Sequence, residues 1–414
     1  MIFSYLKIAW KVLLRRKFFT LISLVGISFT LMILLVGVAL YDRSVGAYVP
    51  ELHPERLLFG SYMQMQLPGM GEMKMRPSYW LINQHLRKLG PGVQTGISGE
   101  GQAVAAYVGG RKLALALKPT DGGFWRVLQF RFLAGRPYSD EQARTGEAVA
   151  VISARTARQY FGPGRPAVGQ LLEANEKRYR VVGVVADVPT MRFHAYADIW
   201  APYEQSALER QPEMPFGESE MLLLAPSAAA VPAVQAALRR AVAAIPMDNN
   251  ESHISLTPTT LGESVAERLL ARYNWTTRPV QLFRALSAGA VALLLLLPAL
   301  NLISMNVSRM RERASEIGIR KAFGATAGML AGQFLVETVV LTLLGGLLGL
   351  LLAAALLRAL SSGYLAAYGD FQLSLVVFGW ALVATLVFGL LSGAYPAWRM
   401  ARLSAVEALK HARA

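Results

Sequence analysis

The sequence predicts a membrane protein with four transmembrane α-helices and a large α+β extracytoplasmic domain between the first helix and the second. Three observations predict this fold class: four long apolar stretches, one long stretch of mixed composition, and a strongly uneven distribution of charge. Hydrophobic residues make up 54% of the 414 residues. That share is typical of a few membrane spans combined with a substantial aqueous domain.

Each apolar stretch is long enough to cross a bilayer, because a membrane helix needs about 20 apolar residues. The first, residues 18–40, contains no charged residue. It fits a signal anchor better than a cleaved signal peptide, because it exceeds the ~7–15 apolar residues of a signal peptide and no A-x-A site follows it. The other predicted spans cover residues 282–305, 329–357 and 373–397.

The charge distribution predicts the topology. Residues 1–17, 306–330 and 398–414 together hold 14 basic and 3 acidic residues, whereas residues 42–280 hold 26 basic and 22 acidic ones. Short segments rich in Lys and Arg stay in the cytoplasm, so we expect both termini inside and the large domain outside. The net charge of +15 therefore indicates membrane topology and no nucleic-acid partner. The predicted order is a cytoplasmic segment 1–17, span 18–40, outer domain 41–281, span 282–305, cytoplasmic loop 306–328, span 329–357, short outer loop 358–372, span 373–397 and cytoplasmic tail 398–414.

The predicted outer domain alternates between strand patterns and helix patterns. Residues 148–153, 178–187 and 221–226 are apolar runs that predict strands, and residues 170–179 predict a hairpin around Asn175. Two helices are predicted, one over 154–161 that ends at Gly162 and one over 229–245.

No catalytic or metal site is predicted. Cysteine is absent, and neither a G-x-S-x-G nor an H-E-x-x-H motif occurs. Methionines between residues 61 and 75 suit soft metals, but a flexible apolar loop is the favoured interpretation because methionine adapts to varied contacts. The histidines lack metal-ligand spacing, which favours lone surface or core residues. The residues considered are His53, His85, His194, His253, Met63, Met65, Met70, Met73 and Met75.

The predicted spans contain few ionisable residues. Glu337 is the clear one, and it either snorkels to the cytoplasmic face or pairs with another helix. A charge at bilayer depth costs at least ~2.5 kcal/mol, so sparse charge disfavours a proton-coupled transporter. Gly345 with Gly349, and Gly389 with Gly393, allow close helix approach, either within one subunit or in a dimer.

A phosphate-binding G-x-x-x-x-G-K-[ST] loop is absent. We therefore expect that this chain is not an enzyme by itself and binds no cofactor, and that any ATP is hydrolysed by another chain. Residues 308–322, taken as a helix, carry a narrow apolar stripe and the favourable i, i+4 pair Glu316 and Arg320. This helix is either a lever that a partner moves or a solvated loop that only enforces topology.

The segment SEIGIRKAFGAT, residues 315–326, resembles the E-I-G-I-R-x-A-x-G-A signature of the FtsX-like permeases, which include the MacB-type membrane subunits of ABC transporters. Asn301, Glu337 and residues 395–409 also match that family's pattern. Four ordered segments resemble its MacB-like periplasmic core domain, namely 130–142, 148–162, 166–172 and 179–189.

The resemblance implies a permease of a type VII, mechanotransmission ABC transporter in the inner membrane. It implies a separate ABC ATPase subunit that binds ATP and Mg²⁺, a second permease copy or paralogue, and a periplasmic membrane-fusion adaptor with an outer-membrane channel. Efflux of an antimicrobial, peptide or other small molecule is the implied function. A lipoprotein-releasing permease and an FtsX-type signalling scaffold that activates cell-wall hydrolases are the alternatives. The implied ATPase-coupling residues are Glu316, Gly318, Arg320, Gly324 and Ala325, flanked by Arg309, Arg311 and Arg313.

Overall fold

The chain forms two compact units in a computed structural model. The helical unit comprises residues 1–42, 281–366 and 370–414, and the large unit comprises residues 43–280 with 367–369. The structure describes residues 2–15, 17–67, 71–203, 215–245, 253–261, 263–264, 323 and 326–362, together with single residues and short runs within 285–293 and 375–390.

The large unit is built on two sheets, which confirms the predicted α+β class. Its strands are β1 Leu57–Gly60, β2 Met63–Leu67, β3 Gly71–Pro77, β4 Gln94–Gly99, β5 Gln102–Val108, β6 Arg111–Thr120, β7 Phe132–Gly135, β8 Val149–Ser153, β9 Leu171–Ala174, β10 Lys177–Val185, β11 Ile199–Pro202, β12 Phe216–Gly217, β13 Ser219–Leu224, β14 His253–Leu256 and β15 Thr259–Thr260.

Eight α-helices have defined bounds across the described parts of the two units. They are α1 Ile2–Arg15, α2 Lys17–Val45, α3 Tyr79–Leu81, which continues as a π-helical turn over Ile82–Leu86, α4 Gly122–Val127, α5 Asp140–Arg144, α6 Ala154–Phe161, α7 Val231–Ala243 and α8 Ala327–Ser362.

The larger sheet is mixed and has eleven strands. Its order is β15-β1-β13-β4-β6-β11-β8-β10-β7, with β5 paired to β6 and β9 paired to β10. The pairs β8–β10 and β6–β11 are parallel, whereas the other pairs are antiparallel. Strands β8 and β13 are buried along their whole length, as expected for strands covered on both faces. Strand β9 alternates exposed and buried residues, so one of its faces meets water.

Several local predictions are confirmed in the large unit. Strands β9 and β10 form the predicted antiparallel hairpin, with Asn175 and Glu176 at φ values of 51° and 66° in its turn. Two central turn residues with positive φ match the twist of the flanking strands. Helix α6 ends at Gly162, whose φ is 96°, a value that glycine adopts without steric cost.

The prediction of a flexible loop in the methionine-rich segment is wrong. Strands β2 and β3 pair with Met63 opposite Met75 and Met65 opposite Met73, inside a four-stranded sheet of order β12-β3-β2-β14. The Met-Gln-Met-Gln alternation places methionines on one face of β2, and Met63 is fully buried in a hydrophobic cluster. Strand β14, which pairs with β2, lies nearly 190 residues further along the chain, so no local pattern reveals the pairing.

The helical unit contains two described helices that are long and apolar enough to cross a membrane. They cover Thr20–Arg43 within α2 and Leu335–Ser361 within α8, at the positions of the first and third predicted spans. A shorter apolar helix covers Phe378–Val387 within the fourth predicted span. The second predicted span, 282–305, lies almost entirely outside the described residues.

Helices α2 and α8 approach each other closely at two glycines of α8. A Cβ atom on Gly349 would lie 2.8 Å from the carbonyl oxygen of Ser28, and one on Gly345 would lie 2.8 Å from Cγ2 of Ile27. At either position a side chain therefore requires neighbouring atoms to shift. Residues of α1, α2 and α8 form one apolar cluster that includes Leu13 and Leu341.

Candidate functional site

The loop over residues 189–198, between β10 and β11, carries two charged or titratable side chains into the interior of the large unit. Arg192 and His194 are 1% and 2% exposed. Arginine is almost never fully buried unless it is paired, and a buried ring nitrogen needs a hydrogen-bond partner. The partners of these two residues therefore show what the loop does.

Arg192 binds the segment that follows α2. Its Nη1 donates to Oε2 of Glu51 at 2.6 Å, and its Nη2 donates to the carbonyl oxygen of Gly46 at 2.7 Å. Both charged side chains are 0% exposed. Since α2 ends at Val45, Arg192 holds the chain immediately after the helix of the first predicted span.

His194 binds a segment that lies before the second predicted span in the chain. Its Nδ1 lies 2.8 Å from Oε2 of Glu220, and its Nε2 lies 2.8 Å from Oγ of Ser264. The other carboxylate oxygen of Glu220 accepts a hydrogen bond from Ser61. Leu261 and Ser264 are helical. The same loop therefore contacts the chain after the first predicted span, through Arg192, and the chain before the second predicted span, through His194.

Both nitrogens of His194 have a buried hydrogen-bond partner. Ser264 donates its own hydroxyl proton to the carbonyl oxygen of Leu261 at 2.8 Å, and Nδ1 of His194 faces the carboxylate of Glu220. Burial alone would raise the pKa of Glu220, but the electrostatic interactions with His194, Arg76 and Lys118 hold that pKa well below its usual range. Glu220 is therefore a carboxylate at neutral pH.

The sequence of groups from Ser264 through His194 to Glu220 has the connectivity of a serine hydrolase triad. Such a triad needs a histidine nitrogen that accepts the serine proton. Ser264 instead directs its hydroxyl proton to the backbone carbonyl of Leu261, so His194 does not act as that base in this arrangement. The arrangement links three segments of chain and does not activate a nucleophile.

The backbone of the loop is held as firmly as its side chains. Nζ of Lys118 donates to the carbonyl oxygens of Phe193 at 2.7 Å and His194 at 2.8 Å. At the end of the loop, Asp198 accepts from Nη2 of Arg155 at 2.7 Å and from the backbone N–H of Ala116 at 2.9 Å. Strand β6 supplies Lys118 and Ala116, so the loop is fixed to the central sheet.

We expect the large unit to lose stability in acid through Glu220. Its folded-state pKa lies below the unfolded value of 4.5, so its contribution is present above that pH and is lost progressively as the pH falls below it. The midpoint of thermal unfolding, measured on the purified protein between pH 7 and pH 3, should fall more steeply for the natural protein than for Glu220→Gln. Parallel pH profiles for the two proteins would contradict this assignment.

The sequence-predicted coupling residues lie outside the described part of the chain, as do Asn301, Gly389 and Gly393. Glu337 is described in α8, where it is 2% exposed and its Oε1 accepts from Nε2 of Gln333 at 3.2 Å. Among the described residues, no group of three or more His, Asp or Glu side chains could hold a metal ion. The coupling residues concerned are Glu316, Gly318, Arg320, Gly324, Ala325, Arg309, Arg311 and Arg313.

Sequence reasoning missed the residues that the loop brings together. His194 was interpreted as a lone surface or core histidine; it lies in the core, and its partners Glu220 and Ser264 lie 26 and 70 positions away. Arg192 and Glu51 are separated by 141 positions. Periodicity reports neighbours within one element, so it carries no signal for such pairs.

Two family models match the chain in succession. Residues 20–241 match the MacB-like periplasmic core domain, which covers more than half of the chain, and residues 288–405 match the FtsX-like permease C-terminal domain. The chain belongs to the MacB-like family of ABC transporter permeases. The large unit is therefore the periplasmic domain of a membrane permease.

Known members of this family are distant relatives of the chain. It is 26% identical over 337 residues to the uncharacterized ABC transporter permease YknZ of Bacillus subtilis (strain 168), covering 76% of this chain and 77% of the relative. It is 25% identical over 417 residues to the pyoverdine export ATP-binding/permease protein PvdT of Pseudomonas syringae pv. tomato (strain ATCC BAA-871 / DC3000), covering 97% of this chain but only 58% of the relative. The crystal structure of the periplasmic region of MacB from Actinobacillus actinomycetemcomitans is similar at a TM-score of 0.35 and 14% identity, over 57% of this chain and 97% of that one.

Proposed function

We propose that this permease is the membrane subunit of a type VII, mechanotransmission ABC transporter that exports a small molecule such as an antimicrobial or a peptide. A separate ABC ATPase subunit binds ATP and Mg²⁺ and docks on the loop 306–328. ATP binding moves that loop and the attached spans, and the spans move the periplasmic domain. A second permease copy or a paralogue completes the membrane part, with both termini of each chain in the cytoplasm.

The double attachment of the loop 189–198 carries this proposal. Arg192 binds the chain at Gly46, directly after the first predicted span, and His194 binds Ser264, upstream of the second. The two side chains are themselves held by buried carboxylates, Arg192 by Glu51 and His194 by Glu220, and such pairs resist separation because an unpaired buried charge is costly. A displacement of either segment is therefore passed to the sheet through one rigid loop.

PvdT is described as an export ATP-binding/permease protein, which supports export. YknZ is described as an ABC transporter permease, which fits an ATPase in a separate subunit. A periplasmic membrane-fusion adaptor and an outer-membrane channel would complete an export route. Lipoprotein release and activation of cell-wall hydrolases are the outcomes that the next experiment separates from export.

Co-purification from native inner membranes tests the proposed assembly. We expect a tagged permease to retain an ABC ATPase and a membrane-fusion adaptor in mild detergent. An ATPase recovered with a peptidoglycan hydrolase would replace export by signalling. Recovery of the permease without any ATPase would contradict the transporter assignment.

Substitutions in the loop 306–328 should uncouple the ATPase without preventing membrane insertion. We expect Glu316→Lys and Gly324→Trp to lower the ATPase activity of the complex or the recovery of the ATPase with the permease, because both alter the proposed docking surface. Glu176→Lys is the matched control, since it makes the same charge change in an exposed turn of the periplasmic domain. Natural activity and assembly in both loop variants would contradict the docking role.

A further inference from the structure

The periplasmic domain contains a cavity of about 260 Å³ beside the loop 189–198. Ligand pockets for drug-sized molecules are typically about 300–1,000 Å³, so this one suits a small molecule. Its lining is unusually rich in charged and hydrogen-bonding side chains, which include Ser61, Tyr62, Arg76, Lys118, His194 and Glu220.

Two cations and two carboxylates line the cavity, but the carboxylates are already engaged or exposed to water. The buried carboxylate of Glu220 already accepts from Ser61 and His194 through both of its oxygens. Lys118 and Arg76 are the two cations of the lining, and Nζ of Lys118 already donates to the backbone carbonyls of Phe193 and His194. The other acidic residue of the lining, Glu100, has a side chain that is 50% exposed, so water screens its charge.

Arg76 is the group best placed to bind an anion. Its side chain is 16% exposed, and an ion pair of 3.6 Å joins its Nη2 to Oε1 of Glu100. That distance exceeds the 2.7–2.9 Å or so of a charge-assisted hydrogen bond. A guanidinium matches a carboxylate with two parallel hydrogen bonds, so a ligand carboxylate can take the place that the Glu100 carboxylate occupies loosely.

Aromatic rings border the same space. The guanidinium of Arg76 lies 5.3 Å from the centre of the Tyr62 ring, and Phe193 and Tyr196 also line the cavity. Rings of this kind provide a flat apolar surface for the organic body of a ligand, while their edges and hydroxyl groups stay polar.

We propose that this cavity binds a small organic carboxylate, with its carboxylate on Arg76 and its apolar body against Tyr62 and Tyr196. Glu100 competes for the same guanidinium in the empty site. The inference concerns binding by the periplasmic domain and does not depend on export. Phe193 and His194 belong to the loop 189–198. The ligand would therefore contact the loop that binds the chain at Gly46 and at Ser264.

Phenylacetate and its neutral isostere phenylacetamide test the proposal on the full-length protein in detergent, by saturation-transfer NMR and competition. We expect phenylacetate to bind at least about tenfold more tightly than phenylacetamide, because only the acid forms charge-assisted hydrogen bonds. Equal binding of the two compounds, or no binding of phenylacetate, would overturn the proposal. Stronger competition by inorganic phosphate than by acetate would overturn the carboxylate class.

Three variants locate the binding site. Arg76→Met should weaken phenylacetate binding at least about tenfold, whereas Glu100→Gln should strengthen it because the competing carboxylate is gone. Arg178→Met removes an equally charged residue from an exposed ion pair elsewhere in the domain and should leave binding unchanged. Glu100 is half exposed, so its variant keeps the test valid if Arg76→Met fails to fold. Unchanged or weaker binding in Glu100→Gln would contradict the assigned site.

Discussion

Arg192→Met is expected to lower the free energy of unfolding of the periplasmic domain by about 3–5 kcal/mol, because it leaves the carboxylate of Glu51 buried without its cation. Both side chains of the pair are 0% exposed, so water cannot replace the lost partner. Hydrogen exchange on the full-length protein measures this locally. Peptides that cover β1, the strand after Glu51, and β11, the strand after Arg192, should exchange faster in the variant.

The exposed pair of Arg178 and Glu173 provides the matched control for Arg192→Met. Its side chains are 73% and 54% exposed, and exposed pairs contribute only about 0–1 kcal/mol. Arg178→Met should therefore leave exchange in β1 and β11 unchanged. A loss of less than about 1 kcal/mol in Arg192→Met would show that the Glu51 pair does not hold the segment after α2.

The double variant Glu51→Leu with Arg192→Met separates the cost of an unpaired charge from the loss of the attachment. Among the described side chains, Oε1 of Glu51 and Nε of Arg192 are buried atoms without a hydrogen-bond partner, so the natural pair is incompletely satisfied. Replacing both partners of such a pair by apolar residues is often neutral or stabilising. We expect the double variant to regain stability, while the peptide around Gly46 still exchanges faster than in the natural protein because the bond from Arg192 is lost.

Gly349→Leu is expected to separate α2 from α8 in the membrane. The introduced Cβ would meet the carbonyl oxygen of Ser28 at 2.8 Å, and overpacking of this kind typically costs about 1–3 kcal/mol. Gly332→Leu is the control on the same helix, because no atom lies within 4 Å of the Cβ position there.

Disulfide crosslinking measures the separation of α2 and α8. The natural chain contains no cysteine, so the pair Ile27→Cys and Gly345→Cys can be introduced alone. The Cβ positions of these residues are 2.9 Å apart, so a small shift brings them to the ~3.5–4.5 Å of a disulfide. We expect the crosslink in the otherwise natural chain and with Gly332→Leu, and its loss with Gly349→Leu. An undiminished crosslink in Gly349→Leu would contradict the close approach, and a dimer-sized product would assign it to two subunits.

Local features of the periplasmic domain could be predicted from sequence because each depends on neighbouring residues. The Asn175 hairpin follows from turn residues that accept positive φ, and the end of α6 follows from Gly162. The methionine-rich segment was misinterpreted for the opposite reason. Its alternation is visible, but β14 completes its sheet from far along the chain, and strand pairing depends on that distant edge.

The sequence by itself determined the family, the apolar stretches and the predicted direction of the chain across the membrane. These properties follow from motifs, from the hydrophobicity of single segments and from the count of Lys and Arg, none of which needs a folded chain. Only the tertiary structure decided that Arg192 binds beyond α2, that His194 binds Glu220 and Ser264, and that a charged cavity lies beside them. The physical reason is that a buried charge is stabilised by whichever partners the fold brings within hydrogen-bond distance, and sequence separation does not restrict that choice.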